Sequence, residues 1–203
     1  MDIIFYLIVI LFSIIIHEYM HGWAADYMGD PTAKRAGRLT LNPIAHIDLW
    51  GSILLPLFIY FGTSGGMVFG YAKPVPFNPY NLHDQKYGPA KVAAAGPLAN
   101  LATALFFGLI LRFIPMSGVL PQLFAIIIFT NLILMTFNLL PIPPLDGSKV
   151  LMPFLPYNWQ VRLEGMERYG IIILLLFVFL GFGTFILPII NFLFKIIVGS
   201  GFF

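Results

Sequence analysis

Four apolar runs decide what this chain can become: residues 3–23, 92–114, 123–140 and 170–198. At about 1.5 Å per residue, each is of a length to cross a hydrocarbon core of about 30 Å. Lipid offers the backbone no water, so a run placed there must satisfy its own N–H and C=O groups, as an α-helix does. Only 10% of the 203 residues are charged and 59% are hydrophobic, whereas ordinary soluble domains carry about 25% charge. The expected fold is an all-α integral membrane protein of about four full transmembrane helices, forming one polytopic domain over residues 1–203. Residues 49–62 are also apolar, but at about fourteen residues, broken by Pro56, they suit a re-entrant or interfacial segment. Arg38-Leu39-Thr40-Leu41 alternates before the Asn42-Pro43 turn, so a small β-hairpin or strand edge is expected between spans one and two. Residues 150–168 read as short interfacial helices, and the last span as kinked near Gly181-Phe182-Gly183 and Pro188.

One of these runs carries groups that lipid penalises. Span one contains His17-Glu18-Tyr19-Met20-His21. Residues four apart share a helix face, so His17 and His21 point the same way and can hold one zinc ion. Glu18 stands next to the first histidine, placed to move a proton at that ion. Ionisable groups inside a membrane are costly and usually functional. The alternative, two histidines hydrogen-bonded between packed helices, leaves Glu18 buried without a stated partner.

A catalytic zinc takes three protein ligands and keeps one position open. The chain has no Cys, so the third ligand comes from His, Asp or Glu. His46 and His83 lie in loops and read as surface or interfacial residues. Asp146 follows span three in the Pro-rich turn Pro141-Ile142-Pro143-Pro144-Leu145-Asp146-Gly147. It can be a ligand turned back into the site, or the N-cap of the helix that follows; spacing does not choose. The distribution of positive charge bears on this. If residues 49–62 do not cross, residues 24–91 and 141–168 share one side and hold Lys34, Arg35, Arg38, Lys73, Lys86, Lys91, Lys149, Arg162 and Arg168, nine of the eleven basic residues. The positive-inside rule then makes that side cytoplasmic and puts the N-terminus outside, read here as the start of a retained span. His21 and Asp146 fall toward the same membrane face. A net charge of +2 gives no argument for a nucleic-acid partner.

Three separated motifs occur in order: His17-Glu18-x-x-His21 in the first span, Gly96-Pro97-x-x-Asn100 opening another, and Asn138-x-x-Pro141-x-Pro143-x-Leu145-Asp146-Gly147 closing a third. Together they resemble the site-2 protease family of intramembrane zinc metalloproteases. The linking stretch from Gly29-Asp30-Pro31 to Leu41-Asn42-Pro43 resembles its compact prokaryotic members, without an extra leading span or an inserted peptide-binding or nucleotide-sensing domain. The resemblance implies one zinc ion per chain on His17, His21 and Asp146, Glu18 as catalytic base, and Asn100 and Asn138 binding substrate or steadying the tetrahedral intermediate. An Asn near a helix end also serves as a cap or an inter-helix hydrogen bond.

The function so implied is hydrolysis of a peptide bond in or near a transmembrane segment of a membrane-protein substrate, within regulated intramembrane proteolysis. The site would face the cytoplasm from a multi-pass cell-membrane protein, with lipid and substrate as partners and the oligomeric state open. A helical substrate must unwind to expose its carbonyls. An edge near residues 38–42 or 66–71 could capture it through main-chain bonds. Two other classes stay in view: a catalytically inactive relative that only binds, and a metal-ion transporter.

Overall fold

The computed structural model describes residues 3–62 and 73–199, in which nine α-helices form and no strand does. Three helices are long and apolar enough to cross a membrane: α1 (Ile3–Tyr27), α4 (Gly88–Phe113) and α5 (Leu120–Asn138). Between the first two lie α2 (Thr32–Arg35), a π-helical turn at Leu49–Leu54 and α3 (Leu55–Gly62). After α5 come α6 (Asp146–Leu151), α7 (Tyr157–Met166), α8 (Gly170–Gly181) and α9 (Leu187–Val198). The last apolar run is broken, as its Gly and Pro content predicts. A π-helical turn at Phe182–Ile186 joins α8 to α9, and the helical stretches Tyr157–Val178 and Gly183–Val198 are bent by 66°.

Two boundaries move from their expected places for local reasons. α4 starts at Gly88, before the apolar run, because Pro89 at its first turn has φ preset and no N–H to waste. α1 runs to Tyr27 rather than stopping near Trp23, and the chain turns just beyond it at Gly29, whose φ is 104°.

The central helix is α4, which packs on both α1 and α5. Contacts run from His21 against Val92, through His17 against Asn100, to Ser13 against Asn100, so α1 and α4 are antiparallel. The exit of α1 and the entry of α4 therefore lie at one end of the bundle. A buried apolar cluster of Ala104, Ile128, Leu132, Ile186, Ile190 and Phe194 ties α4 and α5 to α9 away from that end. At about 25 cal/mol per Å2 of apolar surface in water, such burial stabilises soluble cores; in lipid the same contact gains mainly from close packing.

The strand edge expected at Arg38–Leu41 does not form. Local bonds take its backbone instead. The Asn42 N–H donates to Thr40 Oγ1 at 3.1 Å, the Ile44 N–H donates to Asn42 Oδ1 at 3.1 Å, and Thr40 O accepts from His46 Nε2 at 2.8 Å. Asn42 thereby caps a 3-10 turn, Pro43–His46. Short polar side chains that bond their own backbone compete with a ladder, and here they win. The other candidate edge, residues 66–71, lies outside the described residues.

Candidate metal centre

α1 presents His17 and His21 one turn apart, their rings 4.6 Å between centroids and nearly perpendicular. The Nε2 atoms are 3.0 Å apart. Asp146 comes to them from 129 residues away: its Oδ2 is 3.0 Å from His17 Nε2 and 3.3 Å from His21 Nε2. Three atoms bound at 2.0–2.1 Å to a tetrahedral ion stand about 3.3–3.4 Å from one another. The observed triangle is that of one face of such a site, slightly contracted.

The protonation of the rings decides what these atoms can hold. His17 Nδ1 lies 2.6 Å from Asn100 Oδ1, and His21 Nδ1 lies 2.7 Å from the Val92 carbonyl oxygen. Both partners only accept, so both Nδ1 atoms carry the proton and both Nε2 atoms present lone pairs. A carboxylate oxygen faces the same point. Three lone-pair donors turned on one spot repel unless a cation lies between them, and histidine ligands are commonly oriented by such bonds from the second nitrogen.

The space for an ion is kept by Gly96. A Cβ there would stand 2.5 Å from His21 Nε2 and 2.7 Å from His17 Nε2. Pro97, inside α4, has no N–H to donate to the Ala93 carbonyl.

Asp146 is not the cap of α6. Leu145 takes that position, and Asp146 is the first helical residue. Gly147 makes this possible: a Cβ at 147 would overlap the backbone carbonyls of Leu139 and Leu140, so the turn folds back tightly against the end of α5. Among the described residues, His17, His21 and Asp146 are the one group of three placed to hold a metal.

The other expected residues fall as follows. His17, His21 and Asp146 line a cavity of about 180 Å3, which Glu18 borders together with Asn138 and Lys149. Glu18 Oε2 accepts the Val75 N–H at 2.9 Å. Asn138 lines this cavity, while its Nδ2 donates to Leu134 O at 2.9 Å. Asn100 is fully buried and sits behind His17, its amide committed to His17, Ser13 and Asn131. His46 is buried with Nε2 on Thr40 O, apart from the triangle; the His83 ring packs on Gly29. A second cavity, about 360 Å3, lies among Tyr6, Phe129 and Phe194; its lining is mostly apolar, with Thr130 and Asn191, and among the described residues it holds no metal-ligating cluster.

The Pro-, Asn- and Tyr-rich stretch from residue 71 to 89 reads in sequence as irregular structure at the membrane surface, and part of it borders the cavity at Pro74, Val75 and Phe77. Residues 73–78 run without helix or strand, with prolines at 74 and 76. The Lys73 N–H donates to His46 O at 3.0 Å, the Val75 N–H to Glu18, and the Asn78 N–H to Asp30 Oδ2 at 2.6 Å. Asp30 is fully buried and also accepts from Asn81 Nδ2 at 2.8 Å and from Thr32 N–H and Oγ1. Burial alone would push its carboxyl up. The hydrogen bonds from Thr32, Asn81 and Asn78 outweigh that and hold it below the usual carboxylate range. Asp30 reads in sequence as a turn residue of Gly29-Asp30-Pro31, and only the fold shows what it fastens.

Comparison with known proteins shows the family. A family model described as Peptidase family M50 matches residues 5–123, more than half of the chain. A Bacillus subtilis protein named "Putative zinc metalloprotease YwhC" is 37% identical over 194 residues, covering 91% of this chain and 84% of the relative. A Mycolicibacterium smegmatis protein, Rip2, described in the same words, is 32% identical over 169 residues, 80% of this chain and 62% of its own length. The Methanocaldococcus jannaschii protein MJ0611 is 44% identical over 91 residues, 43% of this chain and 44% of that protein. No solved structure matches. With its apolar spans and the residues brought together at their common end, this multi-pass membrane protein belongs to peptidase family M50, the site-2 protease family.

Proposed function

We propose that the chain is a zinc metalloprotease that cleaves a peptide bond in or near a transmembrane segment of a membrane-protein substrate. The observation that carries this reading is the triangle of two Nε2 atoms and one carboxylate oxygen at 3.0–3.3 Å, with both Nδ1 protons held elsewhere. His17, His21 and Asp146 would hold one zinc ion. Bound there, zinc would lower the pKa of a water to about 7 and polarise the scissile carbonyl.

The remaining work belongs to side chains. Glu18 is the base: it takes a proton from the attacking water and later delivers it to the leaving amine. Its carboxylate is aimed by the Val75 N–H. The Asn138 side chain borders the cavity and is the amide that reaches substrate from the wall. Lys149, on the same wall, suits a polar or carboxylate group on the substrate side. Water enters through the polar part of this cavity, at the bundle end where loops rather than lipid meet the helices.

In the membrane, the N-terminus lies outside and the site faces the cytoplasm; the nine basic residues on the site's side support this orientation. Residues 49–62 dip in without crossing, and the chain forms one catalytic domain. A helical run of this length, about 21 Å at 1.5 Å per residue, falls short of a hydrocarbon core of about 30 Å.

The test is a comparison of the purified parent with Glu18→Gln in detergent. The reading expects zinc in both and cleavage of a membrane-spanning test substrate by the parent alone. Cleavage that persists in the variant removes Glu18 from the chemistry. Zinc in both with cleavage in neither favours a binding protein of the same fold.

A further inference from the structure

Two buried polar side chains deep in the bundle have so far no role: Ser13 on α1, 4% exposed, and Asn131 on α5, fully buried. Both lie within apolar helices, where a buried polar side chain without partners is costly. Their partners form a directed chain. Asn131 Nδ2 donates to Ser13 Oγ at 2.9 Å and to the Ile127 carbonyl at 2.9 Å. A backbone carbonyl only accepts, so the Asn131 amide is fixed with Oδ1 outward. That oxygen accepts from Asn100 Nδ2 at 2.9 Å, which also donates to the Ser13 carbonyl at 3.2 Å. Asn100 is thereby fixed in turn, with Oδ1 on His17 Nδ1.

The two histidines differ in how they are oriented. His21 gives its Nδ1 proton to a backbone carbonyl, which cannot turn over. His17 gives its proton to a side-chain amide, which can. A reversed Asn100 would point Nδ2 at His17 Nδ1, draw the ring proton to Nε2 and take the lone pair out of the metal triangle. Something must forbid that reversal, and the two groups that bond Asn100 on its far side are Asn131 and the backbone of Ser13.

We propose that Ser13 and Asn131 are positioning residues for the metal centre: they lock the Asn100 amide and so hold His17 in the tautomer whose Nε2 binds zinc. The proposal rests on the zinc reading above. The lock draws on α1, α4 and α5, the three long apolar helices. Partners of this outer kind commonly contribute 10–100-fold to metal affinity, and linked hydrogen bonds in a low-dielectric interior reinforce one another.

The test is zinc affinity, measured by competition with a chromophoric chelator, together with the visible spectrum of the cobalt(II)-loaded protein. The parent is compared with Asn131→Leu, which keeps the branched shape and removes the amide, and with Ser13→Ala, which removes one acceptor of Asn131. The expected result is zinc binding weakened about 10–100-fold in Asn131→Leu and several-fold in Ser13→Ala, with shifted cobalt bands in both. A residue that merely glued the helices would lower the unfolding temperature of the metal-free protein and leave affinity and spectrum as in the parent. That result in Asn131→Leu overturns the proposal. If Asn131→Leu does not fold, unchanged affinity and spectrum in Ser13→Ala overturn it instead. A parent that binds no zinc removes the zinc reading itself, and the lock with it; a zinc-binding parent with indifferent variants removes the lock alone.

Discussion

Gly96 is the residue on which the metal site's volume depends. A methyl group at 96 would lie 2.5–2.7 Å from both Nε2 atoms, inside any ligand sphere of about 2.0–2.1 Å radius plus a carbon. Gly96→Ala should therefore cut bound zinc by at least about tenfold, on the scale of a lost ligand-shell contact. Helix content should be kept, since Ala favours a helix by about 1 kcal/mol over Gly. Bound-metal analysis with circular dichroism reads both; zinc retained at parent level would place the ion elsewhere. A second residue-scale prediction concerns Asp30. Its carboxyl is lowered in the folded protein, so the stability it contributes is fully present above the unfolded value of about 4 and fades as pH falls through the lower folded value. The unfolding temperature of Asp30→Asn should lie below the parent's at pH 7, and the gap should narrow below pH 4. A gap that widens with acid would contradict the sign.

Among elements, α6 and its leading turn decide where the third carboxylate goes. Gly147→Ala would force a Cβ into the backbone at the end of α5, a site where little can shift. Overpacking of that kind costs about 1–3 kcal/mol, and α6 would move off with Asp146 on it. Both the unfolding temperature and the zinc stoichiometry should fall. A drop in stability with full zinc would separate the turn from the site. The contrast between α1 and α6 shows what could be read from the chain alone. His17 and His21 lie within one helix, where the helical period fixes their relation. Asp146 depends on how a proline-rich turn packs, and spacing left it open between ligand and cap. Asn131 and Ser13 were legible only as polar residues within apolar spans, since their meaning arises from three helices meeting. The segment at residues 73–78 gave no periodic signal, because its prolines suit neither helix nor ladder. At Arg38–Leu41 the alternation pointed to a strand, and the Thr40 and Asn42 side chains redirected the backbone.

For the whole molecule, the account requires that the loops after α1 and after α5 share one membrane face and the α4–α5 turn the other. The chain has no Cys, so single introduced thiols report position cleanly. Arg35→Cys and Asn158→Cys should both react with an impermeant maleimide in inverted vesicles, and Ser117→Cys in right-side-out cells. Arg35→Cys and Asn158→Cys reacting from opposite sides would make residues 49–62 a crossing and break the shared site. That Asp146 and the histidine pair meet at one bundle end is the reason the two loops must agree. The most direct test of the central claim is zinc X-ray absorption on the purified protein. The account predicts one zinc per chain bound by two imidazole nitrogens and carboxylate or water oxygen at about 2.0–2.1 Å, four-coordinate. The imidazole scattering should halve in His21→Ala. A hydrated, six-coordinate ion with no imidazole signal, unchanged by that substitution, would contradict it.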